Sequence, residues 1–128
     1  MDGKYKILAV DDDPQALILI EAILKPRGYD LILLKDGKQT IQTIKREEPD
    51  IILLDIMMPV FDGYTILKEI RADETIKNIP VVMVTALEQV GNKVIASICG
   101  ASAYITKPIN REILLETIAR LLPDSESR

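Results

Sequence analysis

Three consecutive aspartates, Asp11, Asp12 and Asp13, follow directly after an apolar segment at residues 6–10. Two carboxylates ~4 Å apart repel each other by ~4 kcal/mol at an effective dielectric constant near 20, so solvent or a cation must offset the cost of this cluster. Two carboxylate groups and a backbone carbonyl, completed by water, suit Mg²⁺, which in such sites normally also contacts a phosphate ligand. A solvated turn explains the triplet alone, and residues elsewhere in the chain favour a magnesium site.

A fourth carboxylate, Asp55, ends the apolar segment at residues 51–54 and precedes a loop. A carboxylate in that position can attack phosphorus and become an aspartyl phosphate. Phosphoryl transfer requires mainly positioning and the neutralisation of charge on the phosphoryl oxygens. Besides Mg²⁺, the groups that could supply this neutralisation are the Lys107 ammonium, the Thr85 hydroxyl and the backbone N–H of Ala86.

Short apolar segments alternate along the chain with longer segments whose apolar residues recur with a helical period. The predicted strands are 6–10, 30–34, 51–54, 81–84 and 103–106, and the helical segments are 14–28, 38–50, 63–73, 92–100 and 110–124. The first of these helices is predicted to stop at Pro26 and Gly28, and the second to end before Pro49. Short segments that are apolar throughout are typical of parallel strands buried on both faces. The sequence therefore predicts an α/β fold with a doubly wound, five-stranded parallel sheet and about five helices.

Ligands of doubly wound sheets bind beyond the carboxyl ends of the strands, near the point where the strand order reverses. Four of the predicted strands are followed by residues that suit such a site: Asp11, Asp12 and Asp13 after the first, Asp55 after the third, Thr85 after the fourth and Lys107 after the fifth. The second strand is followed only by Lys35 and Asp36, which an edge strand would tolerate. Chance explains this joint placement poorly, so we expect one acidic site at that edge of the sheet.

Composition excludes several other kinds of chemistry. The 128 residues, 48% hydrophobic and 28% charged, suffice for one domain with one core, and the net charge of −4 argues against a nucleic-acid interface. The absence of histidine excludes imidazole-based catalysis and removes the commonest zinc ligand. The single cysteine, Cys99, excludes an internal disulfide and suits the cytoplasm. No signal peptide or membrane anchor is recognised.

Four motifs resemble those of the receiver domain of two-component response regulators, a CheY-like family. They are VDDDP at 10–14, LLDIMMPVFDG at 53–63, VVMVTA at 81–86 and GASAYITKP at 100–108, and the similarity extends over residues 5–122. The resemblance implies a receiver domain over residues 1–122, with a tail or the start of a linker at 123–128. It also implies a flavodoxin-like sheet with strand order 2-1-3-4-5.

The resemblance further implies a role for each site residue. Asp55 would take a phosphoryl group from a partner histidine kinase or phosphotransfer protein. The implied ligands of Mg²⁺ are Asp12, Asp55 and the Met57 backbone carbonyl, with Asp11 acting through a metal-bound water. Lys107 would contact the phosphoryl group, aided by a cis Lys107–Pro108 bond, since cis isomers are mainly a proline phenomenon. Asp13 takes a variable position and is not among the implied ligands.

A conformational switch is also implied. When Asp55 is phosphorylated, Thr85 would move toward a phosphoryl oxygen and Tyr104 would rotate inward. The readout face would comprise the fourth predicted helix, the fifth strand and the fifth helix, and it is the candidate interface of a homodimer. Family members often carry acidic residues just before the tyrosine, whereas this chain has Ser102 and Ala103.

The leading hypothesis is therefore a phosphoacceptor receiver whose output is conformational and which catalyses only its own phosphorylation and dephosphorylation. One alternative is a degenerate receiver that acts only as an interaction module. A Mg²⁺-dependent aspartyl phosphatase is disfavoured because those enzymes need a second carboxylate where this chain has Met57. A flavin-binding module is disfavoured because the acidic triplet would repel the flavin phosphate. The cognate kinase, the output, the oligomeric state and any attached domain stay open.

Overall fold

The structure, a computed structural model, describes residues 4–58, 62–86 and 99–122. Its strands are β1 (Lys6–Val10), β2 (Asp30–Leu34), β3 (Ile51–Asp55), β4 (Val81–Ala86) and β5 (Ala103–Lys107), and its α-helices are α1 (Pro14–Leu24), α2 (Thr40–Glu47), α3 (Gly63–Ala72) and α4 (Arg111–Leu121). The predicted helix at 92–100 falls almost entirely outside the described residues, as does the predicted tail at 123–128. None of the helices in these ranges is long and apolar enough to cross a membrane.

The five strands form one parallel sheet in the order β2-β1-β3-β4-β5, which confirms the predicted topology. Every residue of β3 is buried, as expected for a central strand covered on both faces. β2 lies at one edge, where its residues are only partly buried, and β5 lies at the other. The order of the strands reverses between β1 and β3, which places the expected binding crevice beyond the carboxyl ends of these two strands.

Helices cover both faces of the sheet, because successive side chains of a strand point to opposite faces. Ile7 and Ala9 of β1 pack into a core cluster with buried residues of α1 and α4. Leu8 and Val10 pack into a second cluster on the other face, with buried residues of α2 and α3. The sheet therefore lies between two apolar layers, and the residues that follow its strands lie together at its carboxyl edge.

The observed helix boundaries differ from the predicted ones at several ends. α1 begins at Pro14 and ends at Leu24, shortly before the predicted stop at Pro26 and Gly28, and it passes into a 3₁₀ turn over Lys25–Arg27. Gly28 then adopts the left-handed conformation, with φ of 87°, which glycine adopts without a steric penalty. The short turn accommodates Pro26 because it needs no N–H at that position.

α2 and α4 are also shorter than predicted. The predicted start of α2 at residue 38 lies in a separate 3₁₀ turn over Gly37–Gln39, because the Asp36 side chain accepts from the Lys38 N–H at 2.9 Å and starts that turn. At α4, Asn110 Oδ1 accepts from the Ile113 N–H at 3.0 Å and caps the helix. Among the apolar residues of α4, Leu114 and Ile118 are buried, whereas Ile113 is 50% exposed.

Candidate functional site

Three carboxylates converge where β1 and β3 end. One oxygen from each of Asp11, Asp12 and Asp55 lies within 4.8 Å of the others, with Asp11 and Asp55 buried and Asp12 exposed. The neighbouring strands cause this convergence, because β1 and β3 pair in register up to Val10 and Leu54. A cluster of oxygen donors with one open side suits Mg²⁺, which accepts a few carboxylates and keeps several waters. The donor set therefore fits the ion predicted from the sequence.

A lysine reaches this cluster from β5, on the far side of β4. Lys107 Nζ lies 2.9 Å from Asp11 Oδ2 and 3.7 Å from Asp55 Oδ1. The closer of the two partners is Asp11, so the ammonium offsets mainly the charge of that carboxylate. The Lys107–Pro108 peptide bond is cis, as the family resemblance implied. The three acids and Lys107 are thus brought together as predicted.

Asp13 connects this cluster to α1. Its backbone N–H donates to Asp11 Oδ1 at 2.9 Å, while its own side chain accepts from the Gln15 N–H at 3.0 Å and caps the helix. Both oxygens of Asp11 are therefore engaged, one by this backbone group and one by Lys107. Because the Asp13 carboxylate serves as a helix cap, its position agrees with its omission from the predicted metal ligands.

The pKa values of Asp55 and Lys107 are both raised above their ordinary values. Burial, and then the charge of Asp11, raises the pKa of Asp55 to about 7, although Lys107 and the Met57 N–H act in the opposite direction. For Lys107, burial alone would lower the pKa, but the hydrogen bond to Asp11 and the nearby carboxylate charges outweigh it and raise the pKa. Near neutral pH the buried Asp55 therefore lies between its protonated and ionised forms, whereas Lys107 stays charged.

The loop after β3 holds Asp55 through backbone contacts. The Met57 N–H donates to Asp55 Oδ1 at 3.3 Å, and the Gly63 N–H donates to the Ile56 carbonyl at 2.9 Å. A Cβ at Gly63 would lie 2.5 Å from the Asp55 carbonyl oxygen and 2.9 Å from Ile56 Cα. The sequence placed residue 63 at the start of a predicted helix, but it did not indicate that this residue must be glycine for α3 to begin against the acceptor strand.

Gly63→Ala should therefore disturb the site directly. We expect a loss of about 1–3 kcal/mol in the free energy of unfolding, because backbone atoms must move to admit the methyl group. We also expect weaker Mg²⁺ binding, because the segment that moves includes Asp55. Urea unfolding and calorimetric Mg²⁺ titration measure the two effects. Gly28→Ala is the matched control: it is strained by its φ of 87° but meets no atom within 4 Å. Equal Mg²⁺ affinity in both variants would contradict the prediction.

The remaining predicted residues lie on β4 and β5. Thr85 is fully buried, and its hydroxyl has no hydrogen-bond partner among the described residues. A buried hydroxyl without a partner costs about 1–3 kcal/mol, so Thr85 has capacity for an additional contact. Ala86 ends β4 opposite Lys107, and Tyr104 is half-buried on β5 opposite Met83. The roles assigned to Thr85, Tyr104, the Ala86 N–H and the Met57 carbonyl stay predictions.

The fold and the site together define a flavodoxin-like α/β domain with an acidic, lysine-bridged cleft at the carboxyl edge of its sheet. The model of the response regulator receiver domain family matches residues 7–119, and the chain belongs to this family. It is therefore a domain of two-component signalling.

Several curated relatives are similar to this chain over most of its length. The response regulator PleD of Caulobacter vibrioides is 39% identical over 116 residues, which cover 91% of this chain and 26% of PleD. Protein PilH of Pseudomonas aeruginosa is 34% identical over 117 residues, which cover 91% of this chain and 97% of PilH. The chain spans about half the length of several other relatives.

A related solved structure contains a magnesium ion. The receiver domain of the sensor histidine kinase PA1611 from Pseudomonas aeruginosa is described with a magnesium ion coordinated in its active site cleft. It is 35% identical to this chain, with a TM-score of 0.84, and the match covers 92% of this chain and 97% of that one.

Proposed function

We propose that Asp55 accepts a phosphoryl group in the cytoplasm from the phosphohistidine of a histidine kinase or phosphotransfer protein, with Mg²⁺ held by Asp12, Asp55 and the Met57 carbonyl, and Asp11 acting through a metal-bound water. The phosphorylated domain would change conformation and control a downstream output. The observation that carries the proposal is the convergence of three carboxylates within 4.8 Å, with Lys107 Nζ 3.7 Å from Asp55 Oδ1. The magnesium ion of the related PA1611 receiver supports the same assignment.

The transfer step uses few groups of this chain. An Asp55 carboxylate oxygen forms the new P–O bond while the P–N bond of the donor imidazole breaks, and the electron pair remains on the imidazole nitrogen, which takes up a proton. The imidazole must come from the partner, because this chain has no histidine. Bound Mg²⁺ would supply charge neutralisation on the phosphoryl oxygens. Lys107, now 2.9 Å from Asp11 Oδ2, would turn to the new phosphoryl oxygens.

The switch that follows would begin at Thr85. Its buried hydroxyl has no partner in the described part of the chain, and a phosphoryl oxygen on Asp55 would provide an acceptor. Movement of Thr85 would leave space that Tyr104, on the neighbouring strand, would fill. The chain would thus catalyse only its own phosphorylation and dephosphorylation, and its product would be a conformation that a partner protein or a second copy recognises.

Treatment with phosphoramidate, a small phosphodonor, tests the proposal without a cognate kinase. We expect intact-mass spectrometry to show one added phosphoryl group in the presence of Mg²⁺ and none in the presence of EDTA. Hydroxylamine should remove the label, as it does from an acyl phosphate. A label that resists hydroxylamine, or one that forms equally well without a divalent cation, would overturn the proposal.

The Mg²⁺ affinity of the metal-free protein should depend on pH. Because the pKa of Asp55 is raised to about 7, the carboxyl group must lose a proton to bind the ion at lower pH. We expect affinity to rise by up to about tenfold per pH unit below about pH 7 and to level off above it. Calorimetry in two buffers of different ionisation enthalpy measures the released proton. Asp55→Asn is the control and should release none. A flat affinity across this range would refute the prediction.

A further inference from the structure

Arg71, in the last turn of α3, makes hydrogen bonds at the amino-terminal edge of the sheet, opposite the acidic cluster. Its Nε donates to the Gly100 carbonyl at 2.9 Å, and its Nη1 donates to the carbonyls of Lys77 at 2.9 Å and Ile79 at 2.7 Å. Its Nη2 lies 3.4 Å from Ser102 Oγ. Within the described ranges Arg71 has no ion pair, so all its acceptors are neutral groups that it holds in place.

Ser102 passes this constraint to the junction of β4 and β5. The Val81 N–H donates to Ser102 Oγ at 3.1 Å, and the Ser102 N–H donates to the Val81 carbonyl at 2.8 Å. These bonds close the ladder at the point where both strands begin. From there the pairing runs in register from Val82 opposite Ala103 to Ala86 opposite Lys107. The contacts of Arg71 therefore lie where the pairing of β4 with β5 begins, and the other end of that pairing lies at the acidic cluster.

β5 needs such a constraint more than the central strands do. It is an edge strand, and Ile105 is its only buried residue. Register is specified weakly where few side chains are buried, and a slip of one residue turns every side chain of a strand to the opposite face. Such a slip would displace Lys107, which now contacts Asp11 Oδ2 at 2.9 Å. It would also displace Tyr104.

We propose that Arg71 is a positioning residue for the phosphoacceptor site: its hydrogen bonds to Gly100 and Ser102 fix the register of β5 and thereby the reach of Lys107. The inference rests on the proposed function, because Lys107 matters for phosphorylation only if Asp55 is the acceptor. Arg71 itself touches neither Asp55 nor the acids around it, so its effect must pass through β5.

Phosphorylation rates in a double-mutant cycle test this role. Arg71→Met keeps the aliphatic stem and removes the donors, and we expect it to slow labelling by phosphoramidate about tenfold, as displacement of a reacting group does. In a Lys107→Met background the same change should cost less than about twofold, because the group that it positions is already gone. Arg46→Met is the matched control, since Arg46 is exposed and its side chain bonds only Glu47 among the residues that the structure describes, and it should leave the rate unchanged.

Hydrogen exchange measures how firmly the backbone hydrogen bonds of β5 are held. In Arg71→Met, the amides of β5 should exchange faster, while those of β2, the other edge strand, should be unchanged. If Arg71→Met does not fold, Ser102→Ala removes only the shared hydroxyl, and we expect it to slow labelling about threefold through the same displacement. Equal slowing of labelling by Arg71→Met in the Lys107 and the Lys107→Met backgrounds would overturn the inference. Unchanged amide exchange in β5 together with an unchanged labelling rate in Ser102→Ala would also overturn it. If the wild-type protein is not labelled, the proposed function is overturned instead. The exchange experiment then still tests whether Arg71 holds the backbone of β5 in place.

Discussion

Asp55→Asn should abolish phosphoryl acceptance and at the same time stabilise the metal-free protein. The amide cannot form the acyl phosphate, but it has nearly the shape of the carboxyl group, and its oxygen can still accept from the Met57 N–H. The wild-type side chain is 4% exposed and lies beside the charge of Asp11, so its ionised form is unfavourable. A neutral side chain at this position removes that cost.

The stabilisation has a defined dependence on pH. Because the pKa of Asp55 is about 7 in the folded protein and near 3.8 without these contacts, the folded wild type loses stability as pH rises through this interval. The asparagine variant has no such loss, so we expect it to exceed the wild type by roughly 1–4 kcal/mol near pH 8 and to approach it near pH 4.

Urea unfolding in EDTA at both pH values measures this difference. Asp12→Asn is the matched control, because Asp12 is exposed and its neutralisation should stabilise the protein less. An Asp55→Asn protein that is less stable than the wild type near pH 8 would contradict the prediction. Labelling of that variant by phosphoramidate would contradict the assignment of the acceptor.

The strands were predictable from the sequence because short segments of apolar side chains must be buried, and a sheet covered on both faces buries them. All five lie within two residues of their predicted bounds, and β3 differs only by including Asp55. Helix ends were less predictable, because they depend on local hydrogen bonds. The Asp36 side chain starts a 3₁₀ turn before α2, and a similar turn at Lys25–Arg27 takes up Pro26 after α1.

The residues that form the site were predictable from the sequence, but the ion pairs between them were not. Strand ends placed the acids, Thr85 and Lys107 at one edge of the sheet. The nearer partner of Lys107, however, is decided by distances across β4, and the structure gives Asp11. The closeness of Gly63 to Asp55 depends on how α3 meets β3. Arg71 lies at the opposite edge of the sheet and joins segments far apart in the chain, so no local pattern indicates it.

Lys107→Met should bind Mg²⁺ more tightly and accept a phosphoryl group more slowly. The ammonium lies 2.9 Å from Asp11 Oδ2 and 3.7 Å from Asp55 Oδ1, close to the place a cation would take. Removing it removes a competing charge, and we expect Mg²⁺ affinity to rise about tenfold near pH 8, equivalent to about 1.4 kcal/mol. The same ammonium would stabilise charge on the transferred group, so labelling should slow about 100-fold.

These opposite changes separate the two roles of the lysine, because a variant that was merely misfolded would lose both functions. Calorimetric Mg²⁺ titration and the labelling rate at saturating Mg²⁺ measure them independently. Lys45→Met is the matched control: Lys45 forms an ion pair of 2.8 Å with Asp73, outside the acidic cluster, and its loss should change neither quantity. Weaker Mg²⁺ binding by Lys107→Met would show that the ammonium organises the carboxylates for the ion instead of competing with it.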